Sequence, residues 1–320
     1  MRGTDVAHIE MRYAAFVSAM MLAVSSAYAE FTIQELPGRV AVYENGEPVL
    51  IYNVEATVPP DGVDPKYRRS SYIHPLYNVD GEIVTEDYPS DHYHHRGVFW
   101  GWPESSSNGR KMDIWTVDGA HQVFERWLEQ NVQGDRATLR LENAWVFEDE
   151  PDPFVRETIT ILIHQATEGI RAIDFHLRFK NVSNAQFTLL GATDKGYGGF
   201  NFRPDARNKP FMFTTARGPL GKDVLQIDSA WADVSWNSRD SMAESGVAIF
   251  QHPSNPDFPH YGWLLRHYGL NGAAWPHEVP HSMAPGESVA LKYRLVVHRG
   301  NAKDARIKKR YRAYRDLATK

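Results

Sequence analysis

Hydrophobic and polar residues alternate with a period of two along most of the chain between Phe31 and His298. In the segment 155–164, for example, the isoleucines fall on one face and the threonines on the other. Alternation of this kind indicates β-strands that bury one face. Asn45-Gly46 lies between two such segments and is typical of a tight hairpin turn. The pattern predicts strands at 40–43, 49–52, 137–147, 155–164, 170–182, 187–190, 211–214, 247–251 and 288–298.

The predicted strands are numerous and long, and glycine and proline rather than helices separate them. This order favours antiparallel sheets that pack face to face. We therefore expect an all-β fold in residues 30–300, a large antiparallel β-sandwich of the galactose-mutarotase-like, or supersandwich, type. The sequence has no internal repeat and no low-complexity linker, so we expect this region to be one domain.

Both ends of the chain differ from this pattern. Residues 301–320 predict a short, basic C-terminal helix, because apolar residues recur there at helical spacing among lysines and arginines. Such a helix can bind a membrane or an acidic partner, but the apolar stripe favours docking on its own domain.

Residues 1–29 predict a secretory signal peptide, with a short apolar run that ends in Ala27-Tyr28-Ala29. Acidic residues precede Met11, so we expect the true start at Met11. The expected location is periplasmic or secreted, and no other segment is long enough to span a membrane.

Composition narrows the classes of function. The 320-residue chain has a net charge of −5, which argues against a general nucleic-acid-binding protein. It has no cysteine, which excludes disulfides, thiolate nucleophiles and thiolate metal sites. Tryptophan (9), tyrosine (15) and phenylalanine (15) are abundant. Aromatic side chains fill cores, but they also stack on sugar rings.

The stretch 71–102 concentrates the chemically versatile residues. It contains His74, His92, His94 and His95 together with several acids and Arg96. If 91–96 is extended, alternation places His92, His94 and Arg96 on one face. Histidines could then serve as acid and base beside a cation that neutralises a carboxylate. The same histidines could ligate a divalent metal, although nothing in the sequence requires a cofactor.

Two later segments could face the same site. The glycine-rich segment 194–203 contains polar side chains, and its glycines permit close approach of a ligand. His252 follows a predicted strand. The candidate catalytic residues are His92, Tyr93, His94, His95, Arg96 and Tyr197, and the candidate substrate-binding residues are His74, Asp91, Trp100, Trp102, Lys195, Asn201, Arg203, His252 and Trp263.

The segments 71–77, 85–87, 91–97 and 99–102 together resemble the PmoA-like family of secreted bacterial proteins. The later segment 246–256 also resembles this family. The family shares its name with a subunit of the membrane methane monooxygenase. We do not expect that activity, because that subunit crosses the membrane several times. The resemblance implies a role in polysaccharide degradation and an association with elimination chemistry on oligosaccharides.

Four hypotheses follow for an oligosaccharide substrate. The first is a lyase or dehydratase that carries out β-elimination on a uronic-acid or keto-sugar residue with the histidines and Arg96. The second is a glycoside hydrolase, for which paired carboxylates are needed; the candidates are Glu86, Asp87, Asp91 and Asp194. The third is a sugar mutarotase or epimerase. The fourth is a non-catalytic carbohydrate-binding protein in which Trp100, Trp102 and Trp263 stack on sugar rings.

Overall fold

The computed structural model describes residues 30–318, and the predicted signal peptide lies outside the described residues. Strands dominate the described chain, and two short 3₁₀ helices lie at Pro65–Tyr67 and Ala206–Asn208. In chain order the elements are β1 (Phe31–Leu36), β2 (Arg39–Glu44), β3 (Glu47–Asn53), β4 (Tyr72–Leu76), β5 (Val98–Gly101), β6 (Ser105–Ser107), β7 (Arg110–Met112), β8 (Ala120–Gln133), β9 (Arg136–Phe147), β10 (Glu150–His164), β11 (Ile170–Asn181), β12 (Phe187–Leu189), β13 (Gly199–Phe202), β14 (Met212–Thr215), β15 (Gly218–Leu220), β16 (Val224–Gln226), β17 (Trp231–Asn237), β18 (Glu244–Gln251), β19 (Gly262–Arg266), β20 (Leu270–Ala273), β21 (His281–Met283), β22 (Ser288–Arg299) and α1 (Ile307–Ala318).

The strands form two nine-stranded antiparallel sheets and one small four-stranded sheet. The first sheet has the order β1-β2-β3-β4-β5-β13-β20-β19-β16, and the second has the order β15-β14-β17-β18-β22-β11-β10-β9-β8. The small sheet has the order β21-β12-β6-β7. Aromatic side chains of the two large sheets meet in the core: the rings of Phe200 and Tyr293 stack at 4.7 Å. The predicted all-β antiparallel sandwich is therefore confirmed.

The predicted alternation appears in the burial of the strands. In β10 the isoleucines 159, 161 and 163 are fully buried, whereas the intervening positions are partly exposed. The hairpin turn between β2 and β3 has positive φ at Asn45 (53°) and Gly46 (83°). These angles suit a tight turn whose twist matches that of the flanking strands.

Several strands escaped prediction for two physical reasons. Every residue of β5, β13 and β20 is buried, so their sequences do not alternate. The long strand β8 has the opposite character, because most of its residues are exposed or half-buried. In both cases the two faces of the strand meet similar environments, and alternation cannot mark the strand.

The C-terminal helix begins at Ile307, later than the predicted start at 301, after a series of turns. Ile307, Tyr311 and Tyr314 are buried against Phe250 and its neighbours on the outer face of the second large sheet. The helix therefore docks on its own domain. Leu317, at the end of the apolar stripe, is exposed. Within residues 30–318, no helix has the length and apolar character needed to cross a membrane.

Candidate functional site

The segment 91–97 forms turns rather than the extended strand expected from the sequence. The His92 amide donates to the Pro89 carbonyl at 3.0 Å, and the His95 amide donates to the His92 carbonyl at 2.9 Å. The predicted grouping of His92, His94 and Arg96 on one face is therefore wrong. The turns bring His92, His94 and His95 together and direct the Arg96 side chain into the interior of the fold.

The three histidines open into a cavity of about 340 Å³, which we call the histidine pocket. Its walls come from the turn at 91–95, the loop at 113–118, the loop at 192–198 and the ends of β16, β19 and β20. It is lined by His92, His94, His95, Trp115, Lys195, Tyr197, Asp223, Leu264, Arg266 and Tyr268. The predicted residues Tyr197 and Lys195 thus lie at the same site as the histidines.

Aromatic rings pack closely in this pocket. The rings of His92 and His95 are stacked at 4.6 Å, and Tyr268 stacks on His92 at 4.9 Å. His94 meets His95 edge-on at 4.6 Å. In the described part of the chain, no three histidine, aspartate or glutamate side chains are grouped so that they could hold a metal ion. The four histidines named as possible metal ligands, His74, His92, His94 and His95, therefore do not form such a group.

His92 is connected to a chain of ion pairs centred on the buried Arg203. Its Nδ1 lies 3.3 Å from Asp91 Oδ2, and Asp91 Oδ1 accepts a hydrogen bond from Arg203 Nη2 at 2.7 Å. Burial alone would raise the pKa of Asp91, but the charges of Arg203 and His92 outweigh burial and lower this pKa. Arg203 is itself buried and also bonds Glu86 at 3.2 Å. Asp91 and Arg203, which were predicted to bind substrate, therefore contact His92 directly and through Asp91, respectively.

Burial tunes the other ionisable side chains of the pocket. Burial, followed by the charge of neighbouring His92, lowers the pKa of His94 to about 3. Burial also lowers the pKa of His95 well below its ordinary value. Burial raises the pKa of Tyr268 to about 12 and raises that of Tyr197. At neutral pH His94 and His95 are therefore uncharged, and the phenols of Tyr197 and Tyr268 are protonated.

Two cations and one carboxylate complete the lining. Lys195 is exposed at one wall, and Arg266 Nη1 lies 3.6 Å from Asp223 Oδ2 at another. Asp223 Oδ1 also accepts hydrogen bonds from the backbone amide and Nδ1 of His267, each at 2.8 Å. Among the described residues that line the pocket, Asp223 is the only carboxylate. Its negative charge is thus already engaged, whereas Lys195 remains available to a ligand.

Arg96 does not reach the pocket. Its side chain is 0% exposed, and its Nη1 donates to Asp87 Oδ1 at 3.0 Å. The guanidinium lies 3.1 Å from the centre of the Tyr88 ring and also donates to the Tyr67 carbonyl. The prediction that Arg96 neutralises a substrate carboxylate is wrong, because these contacts hold it inside the fold.

The tryptophans predicted to stack on sugars belong to the core. Trp100, Trp102 and Trp263 are each at most 1% exposed. Trp102 Nε1 donates to the Trp275 carbonyl at 2.7 Å, and Trp263 Nε1 donates to the Ser229 carbonyl at 2.8 Å. No ring face is left for a ligand, so the stacking prediction is wrong for all three.

Four further predicted residues lie outside the pocket lining. Asn201 is buried and donates to the carbonyl of Gly199. His74 lies on β4, and its Nδ1 is 3.0 Å from Thr85 Oγ1. The Tyr93 ring packs 5.9 Å from Tyr67, and His252 lies beside the C-terminal helix, 5.6 Å from Tyr314. The structure does not bring these residues to the histidine pocket.

Five of the ten residues that line the histidine pocket were not predicted from the sequence. Trp115, Asp223, Leu264, Arg266 and Tyr268 come from segments distant from the histidines in sequence. The sheet order places β13, β20, β19 and β16 side by side, and this order brings their ends to the histidines. The adjacency of Arg266 and Tyr268 at a strand end is the only local clue.

The fold and site define an antiparallel β-sandwich protein with a histidine- and tyrosine-lined pocket at the ends of its strands. The sequence matches a family of unknown function, DUF6807, over residues 39–312, and the chain belongs to this family. No curated protein matches it.

Solved structures share the general architecture at low identity. An α-galactosidase from Lactobacillus brevis is 9% identical with a TM-score of 0.43; the match covers 86% of this chain and 38% of that one. A putative aldose 1-epimerase from Klebsiella pneumoniae is 7% identical with a TM-score of 0.39, covering 90% of this chain and 84% of that one. A putative mutarotase from Salmonella typhimurium is 10% identical with a TM-score of 0.34, covering 85% and 91%. The chain spans less than half the length of the α-galactosidase.

Proposed function

We propose that the protein is a carbohydrate-active enzyme that carries out β-elimination on a uronic-acid or keto-sugar residue in the histidine pocket. The observation that carries the proposal is the combination of closely packed imidazoles, two phenols and two cations in one cavity. In β-elimination the C–H bond next to a carboxylate or carbonyl breaks, and its electron pair forms a C=C bond. The C–O bond one carbon further breaks at the same time, and the leaving oxygen takes up a proton.

His92 is the candidate base. It is partly exposed in the pocket, and the Asp91 carboxylate lies 3.3 Å from its Nδ1. A carboxylate in this position orients the imidazole and stabilises the imidazolium that forms when the ring accepts the substrate proton. Arg203 fixes the Asp91 carboxylate from the opposite side. The Arg203–Asp91–His92 chain therefore supports proton removal by His92.

Tyr268 is the candidate acid, with Tyr197 as a second phenol at the pocket wall. The raised pKa of each keeps the hydroxyl group protonated at neutral pH. Tyr268 stacks directly on the His92 ring. The base and the acid can therefore act on neighbouring atoms of one sugar residue.

Lys195 and Arg266 supply the positive charge that was expected from Arg96. A cation beside the substrate carboxylate stabilises the negative charge that develops when the adjacent proton leaves. A glycoside hydrolase would instead need two facing carboxylates. Within the described lining of the pocket, Asp223 stands alone and is engaged by Arg266 and His267. The geometry therefore favours elimination over hydrolysis.

The test is incubation of the purified protein with acidic and neutral oligosaccharides, while ultraviolet absorbance of the conjugated alkene and product mass are recorded together. We expect absorbance to rise as an acidic chain is cleaved without gain of water. His92→Ala should lower kcat by about 100-fold or more, a typical effect of losing an acid or base. His252→Ala, which changes a histidine outside the pocket, is the matched control and should retain activity. Cleavage with gain of water, or full activity in His92→Ala, would refute the proposal.

Secretion and the resemblance to the PmoA-like family remain part of this proposal. Both agree with a substrate that is an extracellular or periplasmic polysaccharide. Fractionation of cells that express the full-length protein tests the first: we expect it outside the cytoplasm, shortened by about the length of a signal peptide.

A further inference from the structure

A second cavity of about 820 Å³ runs between the C-terminal segment and the β14–β15 hairpin. We call it the helix groove. One wall consists of five basic residues, Lys303, Arg306, Lys308, Lys309 and Arg312. The opposite side comprises the short strands β14 and β15 and the turn that joins them. Its volume is within the range of ligand-binding clefts.

The positive charge of this groove is not neutralised by the protein. All five basic side chains are exposed, and no acidic residue lines the groove. Among residues 30–318, none of the five forms an ion pair within 4.0 Å, in contrast to Arg310 of the same helix, which pairs with Glu168. The whole chain carries a net charge of −5. A local cluster of cations on an acidic protein attracts an anionic ligand.

The groove suits a polar chain better than a membrane surface. A helix that lies in a membrane needs exposed apolar side chains on one face. Here Ile307, Tyr311 and Tyr314 are turned inward and buried against the sheet. The large aromatic residues of the groove, Phe211, Phe213 and Trp231, are at most 4% exposed, and Met212 is the one exposed large apolar side chain in the described lining. Charge, not insertion, is therefore the main attraction that the groove offers.

The helix groove and the histidine pocket share one wall. His267 lines the groove, whereas its sequence neighbours Arg266 and Tyr268 line the pocket. Asp223, also in the pocket, is bonded to His267 Nδ1 at 2.8 Å. A single turn between β19 and β20 thus separates the two cavities. The pocket lies on the outer side of the first large sheet, and the groove lies on the outer side of the second. A chain that occupies both cavities therefore has to pass round the sheet edge at this turn.

We infer that the helix groove binds the remainder of an acidic polysaccharide whose reacting residue occupies the histidine pocket. This inference rests on the proposed function and extends it, since it makes the substrate a polyanionic chain. Carboxylates repeated along the chain would lie against the five cations. The groove then contributes affinity for long substrates, and the chemistry stays in the pocket.

Binding of an end-labelled galacturonic-acid hexamer to the full-length protein, followed by fluorescence anisotropy, tests the inference. The methyl-esterified hexamer is the matched neutral probe. We expect the acidic hexamer to bind more tightly than its ester, and less tightly as salt is raised. The double variant Lys308→Gln/Arg312→Gln should weaken binding of the acidic hexamer by about five-fold, as expected for two exposed charge pairs. Arg140→Gln/Lys180→Gln removes two exposed charges outside the groove and should leave the affinity unchanged.

Equal affinity of the helix variant and the unaltered protein for the acidic hexamer would overturn the inference. If the helix variant lost the binding of the unaltered protein to vesicles of phosphatidylcholine and phosphatidylglycerol, but bound the hexamer with unaltered affinity, the inference would be overturned in favour of a membrane. Turnover of an acidic disaccharide separates the two proposals, because turnover reports on the pocket, whereas the affinity of the hexamer for the helix variant reports on the groove. If the disaccharide is converted but hexamer affinity ignores the helix charges, the groove fails and the proposed function stands. If no sugar is converted but the helix charges control hexamer affinity, the groove stands and the proposed function fails.

Discussion

Arg96→Ala tests whether Arg96 acts in the fold or at a ligand. The substitution removes a fully buried guanidinium from Asp87, from the Tyr88 ring and from the Tyr67 carbonyl. Removing one partner of a buried ion pair typically costs about 3–5 kcal/mol, because the other charge stays buried without compensation. Asp87 is 18% exposed and retains a hydrogen bond from the Tyr72 hydroxyl at 3.0 Å. We therefore expect the low end of that range, about 3 kcal/mol.

Urea unfolding followed by tryptophan fluorescence measures this loss directly, and the melting temperature should fall by about 6 °C or more. Arg178→Ala is the control, because this side chain is exposed and bonds only the Ser288 hydroxyl at 3.1 Å among the described side chains. It should change the free energy of unfolding by less than about 0.5 kcal/mol. A stable Arg96→Ala protein that had lost affinity for acidic sugars would refute the reasoning, since it would place Arg96 at the ligand.

Three further predictions concern charge and space. The pKa of His94 is about 3, so below pH 6.5 this imidazole binds a proton far less readily in the folded protein than in the unfolded chain. The free energy of unfolding should therefore fall as the pH drops from 6.5 towards 3. His94→Gln should reduce the slope of unfolding free energy against pH by at most about 1.4 kcal/mol per pH unit. Burial would raise the pKa of Asp174, but its arginine and histidine partners lower it to about 2. The unaltered protein should therefore have a free energy of unfolding about 2 kcal/mol higher than that of Asp174→Asn above pH 4. Acid unfolding should show this difference disappear as the pH falls through 2. A Cβ on Gly196, which has φ of 64°, would lie 2.2 Å from the His277 ring; Gly196→Ala should lower the melting temperature and disturb the pocket, whereas Gly221→Ala, with no atom within 4 Å, should melt like the unaltered protein.

The sequence predicted the architecture where one face of a strand meets the core and the other meets solvent. Burial in β10 and β11 follows that rule, and the apolar stripe of the C-terminal helix identified its docking face. The strands buried on both faces carry no such alternation, so β5, β13 and β20 could not be found in this way.

The candidate site was predictable in position but not in detail. The density of histidines at 92–95 located the pocket, because that stretch is too polar and too aromatic for an ordinary turn. The assumption of a strand led to the wrong prediction that Arg96 faces the site, since a turn does not place every second side chain on one face. Trp100 lies in the fully buried strand β5 and Trp102 directly follows it, and both side chains belong to the core rather than to a sugar-binding surface. Arg266 and Tyr268 reach the site through sheet order, which a local pattern does not reveal.

In the reaction that we propose, the histidine pocket removes the proton next to a sugar carboxylate and expels the neighbouring oxygen. The most direct test uses an acidic oligosaccharide that carries deuterium at the carbon next to the carboxylate, with product masses measured for the unaltered protein and for His92→Ala. We expect the unaltered protein to yield cleaved chains that absorb in the ultraviolet and have lost the deuterium, and His92→Ala to yield no such product. Cleaved chains that keep the deuterium, or loss of deuterium without cleavage, would contradict it.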